Sequence, residues 1–514
     1  MRSSMIAKFA HQGALLSPIM SWFALAQAAA PGNPSLCCAA LKASDVSERT
    51  AFPDSVAYDE FLNSYFAANA QLHPTCIVQP LTAQDVSITI QSLTSSTAEL
   101  GPCLFAVRSG GHTASLGSSN IESRVTIDLS FLNQTVYDPT TGLASIQPGA
   151  RWDAVYETLL RDNVMMPGGR SSSVGVGGFL TGGGDSFFAA RVGLSCDNVV
   201  GYEVVLADGS IKTVSSKPHQ SPDLFKALKG GSSNLGIVTL FTMTVFPAED
   251  VWGGAVVYDT SVAPQYIAAA TRFTESVIPT DPNAAWVGFF SYNSTTQREA
   301  IFSSLAYTRP VPWPAAFDGF FRIPNITHTL RRTTILAMTR ENNFSPQFRH
   351  VVQTGTYLNR AEILSNVLAI QSERIRLAAV SHPQSTSYVL QAIVQPWVPR
   401  FWADSESRGG NILGLERYNK AMLNIAWDYS WDSSADDSFF YELSQSSREM
   451  LDIYAKSTGS FREYIYLNYA DRTQNPLAGY GEDNVEFLRG VATKYDPHGV
   501  FQHLVPGGFK ISRA

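Results

Sequence analysis

The stretch FAVRSGGHTASLGSSN, residues 105–120, runs from a short apolar segment into a loop built almost entirely of glycine, serine, alanine and threonine, with one histidine near its centre. Gly110 and Gly111 leave backbone N–H groups uncovered by side chains. Such groups can form a concave nest that binds an anion, for example a pyrophosphate. A glycine loop that ends in histidine is more often a plain turn, so His112 needs a second observation before it is given a role.

The second observation is the stretch PGGRSSSVGVGGFLTGGGDS, residues 167–186, which repeats the same texture. Glycine lets a backbone come close to another group because it carries no Cβ. Two such loops in one region predict close approach to a ligand that is flat and charged.

Other chemistries that use glycine-rich loops do not fit these residues. A Rossmann fingerprint needs G-x-G-x-x-G, and the segment from Gly175 to Leu180 lacks the third glycine. A Walker A loop needs Gly-Lys-Ser/Thr, and no lysine lies between Val107 and Ala207. A serine hydrolase with Ser186 as nucleophile would need the G-x-S-x-G elbow, which is missing. Histidines stand singly, without metal-ligand spacing, so no metal site is predicted.

Composition favours an ordered protein that binds a small molecule. The chain of 514 residues is long enough for two or more domains, and its 16% charged and 45% hydrophobic residues are typical of a globular protein. The formal net charge is −7 and no dense run of lysine and arginine occurs, which argues against nucleic-acid and anionic-membrane partners.

Hydrophobic patterning predicts an α+β fold. From residue 74 to 247, short β-like runs such as CIVQP (76–80) and LGIVTLFTMTVF (235–246) alternate with helical stretches such as TAQDVSITIQSL, with Thr82 as N-cap. After Pro247 large aromatic residues become frequent, and AAWVGFFSYN (284–293) and similar runs predict strands. An antiparallel sheet backed by helices is the simplest second domain.

The N-terminus indicates secretion. Arg2 and Lys8 precede a broken apolar run that ends in alanines, so residues 1–28 are predicted to be a signal peptide, and no segment is long and apolar enough to span a membrane. Glycan acceptors would then be the sequons at Asn133, Asn293, Asn325 and Asn343. The chain has five cysteines, and we expect Cys37 or Cys38 to form a disulfide with Cys76. Cys103 and Cys196 are expected to be buried as small hydrophobic residues.

Seven segments in order along residues 73–510 resemble the fungal, secreted members of the berberine-bridge-enzyme-like branch of the vanillyl-alcohol-oxidase flavoproteins. They are HPTCIVQPLTAQDV, RSGGHTASLGSSN, VGVGGFLTGGG, GLSCDNVVGYEVVLADG, DLFKALKGGSSNLGIVT, YIYLNYAD and YDPHGVFQ. The resemblance implies an N-terminal segment at 29–72, a two-part PCMH-type FAD-binding domain at 73–247, a substrate-binding domain at 248–455 and a C-terminal segment at 456–514 that returns to the cofactor.

The resemblance also implies that His112 is bonded covalently to the 8α-methyl group of FAD. A linked imidazole withdraws electron density from the ring and makes it a better hydride acceptor. Many relatives carry a second link through a cysteine whose position is Ser171 here, so a single link is expected. Val174 resembles the small residue of relatives that react with oxygen. Two departures, Phe179 and Asp185–Ser186, predict a different surface around the flavin.

The predicted cofactor-binding residues come from both glycine loops and from three later segments. They are Arg108, Ser109, Gly110, Gly111, His112, Ser171, Val174, Gly175, Gly177, Gly178, Gly182, Asp197, Asn198, Val199, Gly236, Ile237, Val238 and Asn468. For Asp197 a structural turn that enters a strand is an equal alternative.

The catalytic base is predicted to be Tyr469, with Tyr466 as the other tyrosine that faces the substrate. Ala114 replaces a tyrosine that takes part in some relatives, and further candidates for the base are Glu416, Asp428 and Tyr429. A base must lie within hydrogen-bond reach of the proton that it removes.

The expected reaction is removal of hydride from an alcohol, phenol or related C–H of a lipophilic natural-product intermediate, with O2 as electron acceptor and H2O2 as product. Two alternatives stay open: a secreted carbohydrate oxidase, and a flavoprotein cyclase in which oxidation only triggers ring formation.

Overall fold

Three β-sheets and a two-stranded ribbon organise the chain, and the computed structural model describes them over residues 33–95, 101–343, 347–381 and 383–514. The signal peptide predicted at 1–28 lies outside these residues. Helices and strands are mixed along the chain, which confirms the α+β class.

The first sheet carries the first glycine loop at the end of one of its strands. Its strand order is β1-β2-β4-β3, with β2 and β3 both parallel to β4. The strands are β1 (Thr50–Ala51), β2 (Cys76–Val78), β3 (Phe105–Arg108) and β4 (Val125–Asp128). The helices that accompany this sheet are α1 (Pro34–Lys42), α2 (Val56–Asn63) and α3 (Ala83–Thr94).

Helix α3 begins where the sequence predicts. Thr82 accepts a hydrogen bond from the Asp85 backbone N–H at 3.0 Å, and the Asp85 carboxylate accepts one from the Thr82 N–H at 3.2 Å. This reciprocal capping box satisfies two N–H groups that have no partner inside the helix.

Two disulfides join helix α1 to the first sheet. Cys38 pairs with Cys76, one of the two predicted alternatives, and Cys37 pairs with Cys103. The prediction for Cys103 as an unpaired hydrophobe is therefore wrong. Adjacent helical residues point about 100° apart, so Cys38 reaches strand β2 and Cys37 reaches the segment that leads into β3. Cys196 is buried and free, as expected.

The second sheet is antiparallel and has five strands in the order β5-β6-β10-β8-β9, with the ribbon β7-β11 beside it. The strands are β5 (Thr135–Asp138), β6 (Leu143–Ile146), β7 (Val164–Met165), β8 (Val199–Val205), β9 (Ile211–Val214), β10 (Ile237–Thr244) and β11 (Phe246–Pro247). The helices in this region are α4 (Trp152–Arg161), α5 (Val176–Thr181), α6 (Ala189–Val192) and α7 (Pro222–Leu228).

The third sheet has nine antiparallel strands and is the wall on which the substrate domain is built. The strands are β12 (Val251–Tyr258), β13 (Ala284–Asn293), β14 (Arg298–Tyr307), β15 (Thr327–His328), β16 (Arg331–Thr333), β17 (Arg349–Leu358), β18 (Tyr388–Trp397), β19 (Met422–Trp431) and β20 (Phe461–Arg462). The helices are α8 (Ala263–Arg272), α9 (Asp318–Phe321), α10 (Ile335–Glu341), α11 (Ala361–Ser381) and α12 (Asp437–Ser457).

Long helices cover one face of the third sheet. Ser444 on α12 donates to the Trp427 carbonyl oxygen of β19 at 2.8 Å, and Gln371 on α11 donates to the Leu390 carbonyl oxygen of β18 at 2.7 Å. Because successive side chains of a strand point to opposite faces, the other face is left to form a cavity with the glycine loops.

The chain ends against the first two sheets, through α13 (Glu482–Tyr495) and α14 (Val500–His503). The Asn234 side chain donates to the Phe509 carbonyl oxygen at 2.8 Å, and the Phe105 N–H donates to the Leu504 carbonyl oxygen at 2.8 Å. The domain boundaries remain predictions. Strand β20 continues the third sheet beyond residue 455, where the substrate domain was expected to end.

Candidate active site

A cavity of about 720 Å³ lies between the glycine loops and the open face of the third sheet. Most of the predicted site residues line it. They are Ser109, Gly110, Gly111, His112, Ser171, Val174, Gly175, Gly177, Gly178, Gly236, Ile237, Val238, Tyr466, Asn468 and Tyr469. The structure therefore brings together segments that are more than 350 residues apart in the chain.

The two glycine loops touch each other. A Cβ on Gly110 would lie 2.4 Å from the Gly175 Cα, and a Cβ on Gly175 would lie 2.5 Å from the Gly110 Cα. The Gly177 N–H donates to the Ser109 hydroxyl at 3.1 Å. These glycines are thus required for contact between the loops. Gly178 differs, because a Cβ there would meet nothing within 4 Å.

His112 is held as a neutral imidazole in the wall of the cavity. Its ring stacks on Phe66 with centroids 4.1 Å apart, and its Nε2 lies 3.0 Å from the Ser173 hydroxyl oxygen. Burial, together with the positive charge of Arg151 and the nearby His350, lowers the pKa of His112 to about 3. A neutral imidazole has one nitrogen with a free lone pair, which can bond to carbon.

Arg108 lies behind the first loop and does not line the cavity. Its guanidinium is 4.2 Å from the Tyr65 ring centroid and 5.0 Å from that of Phe61, and it lies 3.7 Å from Asp128. The predicted contact with the cofactor is therefore corrected to a supporting role. The reason is the alternation of a strand: Val107 and Ser109 face the cavity, so Arg108 points away from it.

Asp197, Asn198 and Val199 also lie off the cavity wall. The Asp197 carboxylate accepts hydrogen bonds from Ser405 at 2.6 Å and Asn411 at 2.9 Å, which ties the turn before β8 to the substrate domain. For Asp197 the structural-turn alternative is the one that the structure supports.

Gly182 is the remaining predicted cofactor-binding residue that does not line the cavity. A Cβ there would lie 1.6 Å from the Asn468 Oδ1, so the glycine makes room for Asn468.

The segment 464–471 forms a short 3₁₀ turn at Leu467–Tyr469, and both of its candidate tyrosines line the cavity. The Tyr466 hydroxyl is buried and accepts hydrogen bonds from the Asp185 N–H at 2.9 Å and from Asn468 at 3.1 Å. The Asn468 Oδ1 is buried without a partner among the described residues. Such an acceptor is costly unless a ligand supplies a donor.

Tyr469 stands in a network that the sequence did not reveal. Its hydroxyl accepts a hydrogen bond from Arg170 Nη2 at 3.1 Å and donates to the Gln395 Oε1 at 3.3 Å. Arg170 also bonds Gln395, and its Nη1 lies 3.0 Å from the buried Asp185 carboxylate. Burial raises the pKa of Asp185 and the adjacent Arg170 opposes that rise. The only signal in the sequence was a charged pair, Arg170 and Asp185, inside the second glycine stretch.

His350 and Asp428 form a second polar pair on the cavity wall. Their Nδ1 and Oδ1 atoms are 3.3 Å apart, and both side chains are almost fully buried. Phe66 lies between His350 and His112, with its ring centroid 4.6 Å from that of His350. His350 was not singled out in the sequence, since it stands alone in an ordinary strand.

Two other candidates for the base do not line the cavity. Glu416 is exposed at the surface. The Tyr429 hydroxyl faces the helices behind the sheet, 3.0 Å from Ser447 and 3.2 Å from Gln371, and burial raises its pKa. Tyr469 and Asp428 are the predicted bases that remain on the wall.

Asn343, one of the predicted glycan acceptors, faces the second glycine loop. Its side chain bonds Ser171, Ser172 and the Ser173 N–H. Ser345 of this sequon lies outside the described residues, and glycosylation at all four sequons stays a prediction.

No group of three His, Cys, Asp or Glu side chains suited to a metal ion is found in the described part of the chain. Over the same ranges, no helix has the length and apolar character needed to cross a bilayer.

The residues present fit FAD. The cavity has the size of a cofactor site, and the loops offer backbone without side chains at Gly178. The unpaired Asn468 Oδ1 and the neutral His112 supply an acceptor and a nucleophile at its wall.

Comparison with known proteins also indicates an FAD-binding protein. Residues 74–215 match a family described as "FAD binding domain". The chain is 61% identical to "FAD-dependent monooxygenase sdcF" of Emericella nidulans, over 93% of this chain and 99% of that protein. It is 40% identical to "FAD-dependent monooxygenase drtC" of Aspergillus calidoustus, over 93% and 90% of the two chains.

Solved structures share the fold at low identity. Glucooligosaccharide oxidase of Acremonium strictum, described as carrying a 6-S-cysteinyl, 8α-N1-histidyl FAD, has a TM-score of 0.71 and 20% identity, over 92% of this chain and 98% of that one. A variant of berberine bridge enzyme, described as a reticuline dehydrogenase, has a TM-score of 0.72 and 16% identity, over 91% and 98%.

Proposed function

Because the chain belongs to the berberine-bridge-enzyme-like FAD-linked oxidoreductases, we propose that it oxidises an alcohol, phenol or related C–H of a lipophilic natural-product intermediate, with O2 as electron acceptor and H2O2 as product. The observation that carries the proposal is the pairing of two unlike walls. A neutral His112 and bare glycine backbone face a sheet whose side chains are mostly apolar.

His112 would hold the cofactor through one covalent bond, with Asn468 and the glycine loops around it. Bound FAD supplies the hydride acceptor and the site of reaction with O2. Ser171, which stands where many relatives have cysteine, forms no second bond to the ring in this proposal. Arg151 donates to the Gly110 carbonyl oxygen at 2.8 Å and so fixes the loop that carries His112.

Tyr469 is the proposed base. A base takes the substrate's hydroxyl proton as the C–H bond breaks, and it must lie within hydrogen-bond reach of that proton. The Arg170 guanidinium donates to the Tyr469 oxygen at 3.1 Å and holds this hydroxyl in place at the cavity wall. The Asp185 carboxylate, 3.0 Å from Arg170, keeps the guanidinium in place.

The third sheet supports a flat, largely apolar substrate. In register across four neighbouring strands stand Phe302, Phe289, Ile393 and Ala426, and all four line the cavity. The adjacent row brings Gln391 opposite Asp428. A substrate that fits this surface would lay an apolar body on the first row and point one polar group toward the second row. An aromatic or polycyclic alcohol matches this description better than an oligosaccharide, which carries hydroxyl groups on every edge.

Val174, which lines the cavity in the second loop, supports O2 as the electron acceptor in this proposal. A small side chain at this position leaves room for O2 in the proposed site. The two fungal relatives named FAD-dependent monooxygenases favour a second candidate function, in which an oxygen atom of O2 enters the product. A cyclase in which flavin oxidation only triggers ring closure remains the third.

We also propose that the protein is made in the secretory pathway. The Cys37–Cys103 and Cys38–Cys76 disulfides support this, because such bonds persist in oxidising compartments.

The test is turnover of the purified holoenzyme with a panel of aromatic alcohols, polyketide phenols and oligosaccharides under ¹⁸O2. The proposal expects one O2 consumed and one H2O2 formed for each substrate oxidised, with no ¹⁸O in the product. Label in the product would establish the monooxygenase, a ring-closed product formed with O2 uptake and without label would establish the cyclase, and turnover of oligosaccharides alone would overturn the substrate class.

A further inference from the structure

A chain of hydrogen bonds links Asn343 to His112 through two serines of the second glycine loop. Ser171 Oγ lies 2.7 Å from Asn343 Oδ1, Ser171 Oγ lies 3.2 Å from Ser173 Oγ, and Ser173 Oγ lies 3.0 Å from His112 Nε2. We propose that this relay holds the proton of His112 on Nε2 and leaves Nδ1 as the nitrogen that bonds FAD. The inference rests on the covalent link of the proposed function.

The orientation of the Asn343 amide fixes one end of the relay. The Ser173 backbone N–H lies 3.2 Å from Asn343 Oδ1, and a backbone N–H can only donate, so the facing atom is the amide oxygen. The other atom, Nδ2, donates to the Ser172 hydroxyl at 2.8 Å. Both contacts agree, which removes the usual uncertainty between the oxygen and nitrogen of an amide.

The direction of every later bond follows from the first. An amide oxygen only accepts, so Ser171 must donate its one proton to Asn343. Ser171 can then only accept from Ser173, and Ser173, having donated its proton, can only accept from His112. The proton of the imidazole therefore lies on Nε2. The opposite tautomer would make Ser173 donate to His112, leaving the Ser171 and Ser173 oxygens facing each other as two acceptors.

The tautomer decides which nitrogen reacts. In neutral imidazole the N–H nitrogen is a donor and the other nitrogen carries the free lone pair. With the proton on Nε2, the bond forms between Nδ1 and the 8α carbon. One C–H bond of the 8α-methyl breaks and its proton is released, the Nε2 proton of the alkylated ring is released, and the isoalloxazine takes up two electrons and two protons. O2 then reoxidises the linked flavin and is reduced to H2O2.

Ser171 thus has a role of its own in this chain, at the position where many relatives have cysteine. It acts through Ser173 on His112, so Ser171, Ser173 and Asn343 are positioning residues for attachment of the cofactor. They are not expected to touch the substrate.

The test compares Ser171→Ala and Ser173→Ala with Ser172→Ala, which removes the acceptor of Asn343 Nδ2 but leaves Oδ1 bonded to the Ser173 N–H, and with Ser173→Thr, which keeps the hydroxyl. Each holoenzyme is purified after the same short induction, and intact mass gives the fraction of chains that carry FAD. Non-covalent flavin that remains is followed as it becomes acid-stable. Long-range NMR correlations from the 8α-methylene in the histidyl-flavin peptide identify the linked nitrogen.

We expect the wild type to be linked through Nδ1 and both relay alanine variants to attach FAD about fivefold more slowly, the loss of one hydrogen bond. Ser172→Ala and Ser173→Thr should attach it at the wild-type rate. Equal rates in all four variants, equal slowing by Ser172→Ala, or a link through Nε2 would overturn the relay while leaving the proposed oxidation intact. A wild type without acid-stable flavin would instead refute the covalent link itself.

Discussion

The two walls of the cavity are built on opposite principles. The loop wall, formed by the glycine stretches at 105–120 and 167–186, exposes backbone. Its glycines are required where the two loops touch, as at Gly110 and Gly175. The sheet wall is the face of the third sheet that is turned toward the loops. It exposes the side chain of every second residue of its strands, such as Gln391, Ile393 and Gln395 on β18.

This difference shows which wall can accept amino-acid substitutions. A backbone wall held by glycine contacts cannot accept a side chain without a shift of the loops, so it suits a ligand that never varies. A strand face can exchange one side chain for another while its ladder of backbone hydrogen bonds stays the same. The loop wall therefore fits the cofactor, and the sheet wall fits the choice of substrate.

The largest expected effect is on the loop wall. In His112→Ala no flavin should stay with the protein after acid precipitation, because the only nucleophile of the proposed link is gone. The fold should persist, since the mutation removes a half-buried ring and no charge pair. Flavin absorbance in the pellet and the supernatant measures the result.

His73→Ala is the matched control, because that imidazole is 70% exposed at the surface. Its pellet should stay as yellow as that of the wild type. Acid-stable flavin in His112→Ala would show that another residue carries the bond and would break the assignment of the loop wall.

The second largest effect is expected at Tyr469, which contacts both walls through Arg170 and Gln395. Tyr469→Phe keeps the ring but removes the proton acceptor, and kcat should fall by about 10²–10⁴-fold, the usual contribution of a general base. Covalent flavin content should not change. Stopped-flow reduction of the enzyme-bound flavin by substrate reports this step directly.

Asp428→Asn is the comparison, because Asp428 is the other predicted base on the wall and pairs with His350. If Asp428→Asn slows flavin reduction and Tyr469→Phe does not, then the base belongs to the His350–Asp428 pair.

The sequence predicts the elements well where local rules decide them. Thr82 caps its helix as expected because the capping box lies within four residues. The strand at 284–293 is found because its apolar run is long. The partner of Cys103 was missed, since pairing depends on how α1 packs on the sheet.

For the site, resemblance assigns a segment to the cofactor but does not give the direction of each side chain. Arg108 and Asp197 lie in the right segments and point away from the cavity. His350 and Phe66 were missed for the converse reason, as tertiary packing alone brings them beside His112. Arg170 shows the same limit, because its partners Asp185, Gln395 and Tyr469 come from separate segments.

A smaller effect should appear on the sheet wall. Phe302→Ala removes a ring that faces the cavity opposite Phe289, and KM for an apolar substrate should rise by about 10- to 100-fold, the worth of burying one such side chain. Flavin content and the ultraviolet-visible spectrum should stay unchanged. Steady-state kinetics with the best substrate of the panel measures KM and kcat.

Phe302→Leu is the control that keeps an apolar side chain, and its KM should rise less. A loss of covalent flavin in Phe302→Ala would mean that the two walls are not independent, which would contradict a division of roles between cofactor binding and substrate choice.

The smallest expected effect is that of pH on attachment of FAD. The pKa of His112 is lowered to about 3, so the imidazole stays neutral from pH 8 down to pH 5. Protein made without riboflavin and given FAD should then form acid-stable flavin at rates that differ by less than about twofold over this range. A histidine with the ordinary pKa of about 6.5 would be mostly protonated at pH 5, and its rate would fall about 30-fold.

The sign of this prediction is decided by burial, which lowers the pKa of a histidine by disfavouring its charged form. A steep fall in rate below pH 6.5 would mean that His112 titrates as it does in water, and the loop wall would then be open to solvent when FAD arrives. A flat profile would support a cavity wall that is already formed before the cofactor binds.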